Sequence, residues 1–306
     1  MQGEEILVLM KKKTENILCL LLSCIAVCVA TIGLFYSDGG ESILVNNIYG
    51  QQVELYGKGI YAYNSLMTVS SRLGADWMGI ISGFLMIALC ILDKKFLWAN
   101  LLKTAQSVMF VYYFACLIFS ISMNRLYLLY VFGFGLSFLL SIILVVENYK
   151  TIEVKESAKR CKNWGMSLCL AISGGLTLAI WISMIVPYMI ANNYGDLLGV
   201  LTTEATYAID LGILCPAMII CAILIRKKKD FGYIMAPNLL YILFCVGPMV
   251  ILQNVYCFIL GISVPVPAYI GTVLSFVVMC IFALVFLCKS ISILENKQSD
   301  SNLSIR

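Results

Sequence analysis

The chain has 306 residues, of which 61% are hydrophobic and only 12% are charged, and its formal net charge is +4. Soluble domains carry about 25% charged residues, so this composition excludes a soluble globular protein. The sequence has no histidine, which excludes His-ligated haem, His-rich metal sites and catalytic pairs that need an imidazole base. The 13 cysteines contain no Cys-x-x-Cys pair, so we predict buried structural thiols and neither a metal nor another cofactor.

Apolar runs recur along the whole chain, and each approaches the length of about 20 residues that a helix needs to cross a bilayer. They predict an all-α, polytopic membrane protein with eight transmembrane helices. The predicted spans are 16–36, 76–92, 104–122, 126–146, 164–190, 205–225, 233–257 and 267–288. We predict one membrane domain at 1–290 and a polar, disordered cytoplasmic tail at 291–306. The first run exceeds the roughly 7–15 residues of a signal-peptide core, which indicates an uncleaved anchor.

Basic residues cluster after every second span. Of the 21 Lys and Arg residues, only Lys58, Arg72 and Arg125 lie on one side of an eight-span arrangement. The other side holds Lys11, Lys12, Lys13, Lys94, Lys95, Lys103, Lys150, Lys155, Lys159, Arg160, Lys162, Arg226, Lys227, Lys228, Lys229, Lys289, Lys297 and Arg306. Positively charged loops stay in the cytoplasm, so we predict a multi-pass protein of the cell membrane with both termini inside. The regular alternation favours topology over a nucleic-acid patch, so we predict the lipid bilayer and no nucleic acid as a partner.

Residues 37–75 form the one long segment predicted on the outer side. Two short β-prone runs, 42–46 and 52–56, flank turn residues at 47–50 and predict a small hairpin. Loops of about this length are usually functional or disordered. The candidate cap residues are Tyr56, Gly57, Gly59, Tyr61 and Tyr63. A cap over the outer mouth of the bundle and a passive connector both remain open.

Two motifs resemble a family of uncharacterised multi-span bacterial membrane proteins. One, YGKGIYAYNS, begins at Tyr56 and is followed by Arg72 to Asp76; the other, TYAIDLG, begins at Thr206 and is followed by Pro216. The family patterns are YGxGIY in the outer loop and TYxxDxG in a span. The resemblance covers nearly the full chain and implies the same topology, without implying a reaction. This chain departs from the pattern at Asn64, where the family often has an acid, and at Leu73, where it has glycine.

Asp210 is a carboxylate inside the sixth predicted span. Thr206 and Tyr207 lie one helical turn earlier, so their hydroxyls can reach it. A charge facing lipid is unfavourable, by about 2.5–3.5 kcal/mol at the bilayer centre, so we expect Asp210 to face the bundle interior and to have a partner.

Two arginines predicted on the outer side are candidate partners for Asp210. Arg72 lies one turn before Asp76, which predicts a local pair between them. This leaves Arg125, at the start of the fourth span, as the preferred partner of Asp210. Gln253 and Asn254, late in the seventh span, are expected to complete a polar cluster at the same depth.

Three interpretations of this cluster remain open: a ligand or ion site, an ion pair that holds helices in register, and a catalytic pair of Asp76 with Asp210. They correspond to three functions. The first is a small transporter, permease-like or ligand-binding membrane protein with a polar site open to the outer side. The second is a non-catalytic membrane subunit that binds a protein partner. The third is an intramembrane enzyme that uses paired carboxylates.

Overall fold

The computed structural model of the chain describes residues 2–161, 163–263 and 270–297. Within these ranges, eight helices are long and apolar enough to cross a membrane, which confirms the prediction of a multi-span, all-α protein. Their bounds are Lys12–Phe35, Leu66–Leu92, Leu97–Phe119, Tyr127–Thr151, Trp164–Ala191, Ala205–Arg226, Asp230–Ile259 and Ser275–Ser292. The start of the predicted eighth span, at 267–269, lies outside the described residues.

Helices and strands are labelled in chain order. The helices are α1 (Gln2–Phe35), α2 (Leu66–Leu92), α3 (Leu97–Phe119), α4 (Tyr127–Thr151), α5 (Glu156–Arg160), α6 (Trp164–Ala191), α7 (Tyr194–Leu198), α8 (Ala205–Ile209), α9 (Cys215–Arg226), α10 (Asp230–Ile259) and α11 (Ser275–Ser292). The strands are β1 (Ile43–Asn46), β2 (Gln52–Leu55), β3 (Ile152–Val154) and β4 (Leu294–Asn296). Two π-helical turns, Asp210–Leu214 and Ile270–Leu274, precede α9 and α11.

The second span begins at Leu66, whereas the sequence predicts residue 76. Ser65 caps the helix, because its hydroxyl oxygen accepts a hydrogen bond from the Thr68 N–H. Arg72 and Asp76 make the first turns too polar for a hydropathy prediction, yet both are buried between helices. Their charges therefore do not meet lipid, and the helix starts before them.

Helix α3 is the centre of the bundle. It has the lowest mean hydropathy of the eight spans, 1.5, and yet 72% of its most apolar window is buried, more than in any other span. It packs against α2, α4, α8, α10 and α11. A helix that faces protein on nearly every side can carry polar groups that lipid would exclude, and its buried polar residues are Lys103, Thr104, Gln106 and Ser107.

A buried ion pair lies at the basic end of the bundle, the end that carries most of the lysines. The Lys103 Nζ is 2.6 Å from Asp93 Oδ2, and both side chains are fully buried. Lys103 also donates to Asn16 Oδ1 at 2.9 Å, and Asn16 Nδ2 donates to the Cys90 carbonyl at 3.1 Å. Lys103, which the sequence places among the loop charges, is thus an internal charge that ties α1, α2 and α3 together.

The start of the predicted disordered tail is ordered in the structure. Helix α11 continues to Ser292, and β4 pairs antiparallel with β3, with Val154 opposite Leu294. The Lys155 N–H also donates to the Ile293 carbonyl at 3.0 Å. This corrects the prediction for 291–297, because β3 supplies backbone partners that the tail lacks on its own. Residues 298–306 lie outside the described ranges.

Two strands form between α1 and α2, within the two β-prone runs. They pair antiparallel, with Ile43 opposite Leu55 and Asn46 opposite Gln52. The Asn47 side-chain oxygen closes the turn by accepting from the Gln51 N–H at 2.9 Å. We call residues 43–55 the hairpin, and the end of the bundle that carries it the hairpin end.

Amide side chains attach the hairpin to the connection between α6 and α8. Asn47 Nδ2 donates to the Gly199 carbonyl at 2.8 Å. Gln51 Nε2 donates to Asn193 Oδ1 at 2.9 Å and to Asp196 Oδ1 at 2.8 Å. The hairpin is therefore anchored to a segment far away in sequence.

A glycine-rich turn joins the hairpin to α2. Gly57 has a φ of +73°, and a Cβ there would lie 1.7 Å from the Glu41 carbonyl oxygen, so only glycine fits. Gly59 also has a positive φ, +59°. Its N–H donates to Asp38 Oδ1 at 2.9 Å, which fixes the loop to the end of α1.

Replacing Lys103 with methionine removes the cation and leaves Asp93 buried without it. We expect Lys103→Met to lower the free energy of unfolding by about 3–5 kcal/mol, the usual effect of breaking a buried pair. Thermal unfolding of the detergent-purified protein measures the loss. The double variant Lys103→Met/Asp93→Leu should recover much of it, and Lys95→Met, at an exposed position, is the matched control. Equal effects of Lys103→Met and Lys95→Met would contradict the assignment.

Asp38 provides a pH-dependent contact of the loop. The hydrogen bond from the Gly59 N–H, helped by the Gly40 N–H, holds the pKa of the Asp38 carboxyl below its ordinary value of 3.8. The fold therefore favours the ionised form, so its contribution is present above the unfolded pKa and is lost as the pH falls through the folded pKa. The Gly59 amide NMR signal should titrate with a midpoint below 3.8, and Asp38→Asn should abolish this titration. A midpoint at or above that value would show that the bond does not hold the carboxylate.

Candidate functional site

Charged and polar side chains from α2, α3 and the segment around α8 converge at the hairpin end of the bundle. We call this group the hairpin-end cluster. Its members are Arg72, Asp76, Tyr112, Glu204 and Asp210. They are far apart in sequence, but electrostatic interactions link Arg72 with Asp76 and Glu204, and Tyr112 with Asp210 and Arg72. The fold thus brings one guanidinium and three carboxyl groups together.

Asp76 is held by two tyrosines. The Tyr61 hydroxyl donates to Asp76 Oδ2 at 2.8 Å, and the Tyr113 hydroxyl donates to Oδ1 at 2.7 Å. Helix α1 closes the third side, since a Cβ on Gly33 would lie 2.1 Å from Oδ2. Burial, together with the charge of Asp76, raises the pKa of the Tyr61 phenol well above its ordinary range. Tyr61 therefore remains a donor, and both oxygens of Asp76 are occupied.

Arg72 is buried but poorly satisfied. Its Nη2 donates to the Ser71 hydroxyl at 3.2 Å, and its Nε is buried without a hydrogen-bond partner. Among the residues that the structure describes, Arg72 forms no ion pair, so the predicted pair with Asp76 is not formed although the two lie one turn apart. Asp76 and Glu204 act on Arg72 only at longer range. A guanidinium has five donors in a fixed fork, and this one retains capacity to bind a further acceptor.

Glu204 joins the end of α3 to the start of α8. Its Oε1 accepts from the Ser120 hydroxyl at 2.7 Å and from the Thr206 hydroxyl at 2.7 Å. It also accepts from the Thr206 N–H at 3.3 Å, as the N-cap of α8. The Ser120 hydroxyl in turn accepts from the Ala205 N–H at 3.0 Å. Glu204 is therefore a positioning residue, which accepts all three of these hydrogen bonds through Oε1.

Asp210 begins the π-helical turn that separates α8 from α9. It is 6% exposed, and its Oδ2 accepts from the Trp181 indole N–H at 2.9 Å. Its Oδ1 is buried and has no hydrogen-bond partner. π-Helical turns are rare and occur frequently at functional sites. The turn presents to the bundle interior a carboxylate with one oxygen available.

Two aromatic side chains interact with the Asp210 carboxylate, and a third ring packs against one of them. The rings of Trp181 and Tyr207 lie 4.9 Å apart between centroids, at 53° to each other. The Tyr112 hydroxyl of α3 approaches the same carboxyl as a hydrogen-bonding group, in a looser geometry than the Trp181 bond. These rings come from α6, α8 and α3, so the carboxylate sits at the junction of three helices.

The predicted partners of Asp210 do not contact it in the structure, and other residues take their place. Arg125 is exposed in the loop between α3 and α4, and its charged neighbour is Asp38. The Thr206 hydroxyl donates to Glu204 instead of Asp210, and the Tyr207 ring packs at a tilt against the Trp181 ring. Arg125 lies in the loop before α4 and therefore points away from the bundle interior. Its position next to a helix start in the sequence does not reveal this.

Gln253 and Asn254 of α10, predicted to join the polar cluster around Asp210, are also absent from its described contacts. Asn254 turns back on its own helix, with Nδ2 donating to the Val250 carbonyl at 2.7 Å. Gln253 lies where α10 packs on α2, since a Cβ on Gly74 would be 2.6 Å from the backbone nitrogen of Gln253. This region is a tight helix contact.

The two carboxylates proposed as a catalytic pair have separate partners. Asp76 is held by two phenols, and Asp210 by one indole. Neither hydrogen-bonds to the other or shares a donor with it. Among the described residues, no group of three or more His, Cys, Asp and Glu side chains could hold a metal ion.

The candidate cap residues divide between the site and the surface. Tyr61 is buried and bound to Asp76, so it belongs to the hairpin-end cluster. Tyr56 is partly buried, whereas Tyr63 is 64% exposed. Gly57 and Gly59 shape the turn that carries Tyr61 to α2.

Several site residues are not identified by the sequence reasoning. They are Tyr112, Tyr113, Ser120, Trp181 and Glu204. Glu204 had a usable signal, because an acidic residue directly before an apolar helix interacts favourably with the helix N-terminus. The tyrosines and Trp181 resemble ordinary interfacial aromatics, and nothing in their spacing points to the two aspartates.

Comparisons of the chain with protein-family models, with curated proteins and with solved structures found no match. The assignment of the site therefore depends on its own geometry.

Removing the Tyr61 hydroxyl leaves Asp76 Oδ2 buried without its donor. We expect Tyr61→Phe to lower the free energy of unfolding by about 1.5–3 kcal/mol, the range for hydrogen bonds to charged groups. The matched control is Tyr63→Phe, where the same hydroxyl is lost from an exposed ring. Thermal unfolding in detergent measures both. Indistinguishable midpoints for the two variants would show that Tyr61 does not support Asp76.

Proposed function

We propose that the chain is a small transporter or permease-like protein of the cell membrane that binds a small polar ligand at the hairpin-end cluster. The observation that carries the proposal is a pair of open, buried charged atoms of opposite sign. These are Arg72 Nε and Asp210 Oδ1, neither of which has a hydrogen-bond partner in the described chain.

The energetics support a binding role for these atoms. A buried polar atom without a partner costs about 1–3 kcal/mol, and more when it is charged. A bundle that used Arg72 and Asp210 only to hold helices in register would be expected to pair them with neighbouring side chains. A ligand with complementary groups would satisfy both atoms at once.

The charge distribution supports an orientation with the hairpin end outside. The loops at the opposite end carry most of the lysines and arginines, and such loops stay in the cytoplasm. With both termini inside, the hairpin-end cluster faces the external medium. The ligand would therefore be taken from outside.

The helices around the cluster have features that permit movement. The π-helical turn begins at Asp210. Helix α6 contains Pro187, and α10 contains Pro248 in its half nearer the hairpin end. Proline removes a backbone hydrogen bond and bends a helix, and such breaks in spans are accommodated where they line a protein interior or a cavity. These features support opening at the hairpin end.

The hairpin has the position of a lid. Asn47 and Gln51 bond to the 193–199 segment, which leads directly to Glu204 and α8. We propose that releasing these amide contacts opens the route to the cluster. The family resemblance in this loop and in the Asp210 motif stays a prediction of shared topology.

Ligand binding is tested with purified protein in lipid nanodiscs, using native mass spectrometry for co-purified molecules and thermal shifts with a panel of amino acids, sugars, amines and carboxylates. Arg72→Gln and Asp210→Asn should each weaken binding about tenfold or more, since a charge-assisted hydrogen bond contributes about 1.5–3 kcal/mol and about 1.4 kcal/mol is tenfold. Arg125→Gln, at an exposed arginine of the same end, should leave affinity unchanged.

Uptake of the bound compound into proteoliposomes tests transport. Accumulation that depends on Arg72 and Asp210 supports a transporter, whereas binding without uptake limits the function to ligand binding. A stably co-purified protein with no small-molecule binding would overturn the proposal in favour of a membrane subunit. Turnover of a compound dependent on Asp76 and Asp210 would overturn it in favour of an enzyme.

A further inference from the structure

The hairpin-end cluster has an excess of acidic groups. Three carboxyl groups, Asp76, Glu204 and Asp210, accompany one guanidinium, Arg72. Arg72 interacts with the Cys116 thiol, Glu204 and Asp76. Among the residues described, Asp210 forms no ion pair within 4.0 Å.

The open oxygen of Asp210 lies in surroundings that suit an organic cation. Trp181 donates its N–H to the other oxygen and so fixes the carboxylate. Tyr207 packs 4.9 Å from the Trp181 ring centroid, and Tyr112 interacts with the carboxyl from α3. Aromatic rings attract ammonium groups through their negative faces, and the attraction grows when the site excludes water.

A bare inorganic cation fits this site poorly. Ca²⁺ takes about 6–8 oxygen ligands and Mg²⁺ requires an octahedral shell. Here one carboxylate oxygen is open, and the other accepts from the Trp181 N–H. Across the described residues, no group of three His, Cys, Asp or Glu side chains could hold a metal ion. An ammonium group requires no coordination shell of fixed geometry and is bound by a carboxylate together with aromatic faces.

We infer that the ligand carries an ammonium group, bound by Asp210 Oδ1 and enclosed by Trp181, Tyr207 and Tyr112. We call these four residues the Asp210 subsite. The inference rests on the proposed ligand-binding function and specifies the charge of the ligand. Arg72, whose charge also acts on Tyr112, has in its Nε a donor available to an oxygen of the same molecule.

The test compares pairs of compounds that differ in the ammonium group. Ethanolamine, glycine and choline are the probes, and ethylene glycol, glycolate and 3,3-dimethyl-1-butanol are their counterparts without it. Binding to the full chain in nanodiscs is measured by calorimetry and thermal shift. We expect at least one ammonium compound to bind at least tenfold more tightly than its counterpart.

Three variants locate the cation. Asp210→Asn removes the charge and should abolish the preference for the ammonium compound, while Asp210→Glu, which keeps the charge, should retain part of it. Tyr207→Leu removes a ring and should weaken ammonium binding several-fold. Glu41→Gln, at an exposed acid of the same end, should have no effect. Thermal midpoints without ligand show whether each variant is folded.

The outcomes separate this inference from the function on which it rests. If compounds without an ammonium group bind equally well and still require Arg72 or Asp210, the ligand-binding function stands and the ammonium assignment is wrong. If ammonium compounds bind but Asp210→Asn binds them unchanged, the cation lies elsewhere and the inference is also wrong. If neither these probes nor the broader panel binds the wild-type chain, both proposals fail.

Discussion

The placement of charged groups away from lipid is the constraint on which this fold depends. Charges inside a membrane protein turn towards protein or water, and here they turn towards α3, the least apolar and most buried span. Lys103 near one end of α3 binds Asp93, the C-cap of α2, and Tyr113 towards the other end binds Asp76 within α2. The polar positions of α2 and α3 thus fix how these two helices face each other, and the remaining spans pack around them.

The two ends of the bundle treat buried charge differently. At the basic end, Lys103 and Asp93 form a close pair, and Asn16 bonds to both. At the hairpin end, Arg72 and Asp210 each keep an open atom. At the basic end, where the charges hold helices together, each of these charged groups therefore has a partner. That contrast is the main reason to regard the hairpin end as a binding site.

The sequence predicted the number and positions of the spans well, because about 20 apolar residues can be accommodated in few other ways. It predicted the start of α2 badly, since Arg72 and Asp76 look incompatible with a span until their burial is known. The partners of Asp210 could not be predicted from the sequence for a related reason. Helical spacing relates residues on one helix, whereas Trp181 reaches Asp210 from another helix, and no periodicity encodes that contact.

The segment between α6 and α8 connects the hairpin to the Asp210 subsite. It contacts Asn47 and Gln51 of the hairpin, follows the helix that carries Trp181 and leads to Glu204. Glu204 in turn bonds to Ser120 at the end of α3. A displacement of the hairpin therefore changes the supports of both α6 and α8, which hold the donor and the acceptor of the Trp181–Asp210 bond. The π-helical turn that begins at Asp210 lies between α8, which Glu204 caps, and α9, so the carboxylate stands where this series of contacts enters the sixth span.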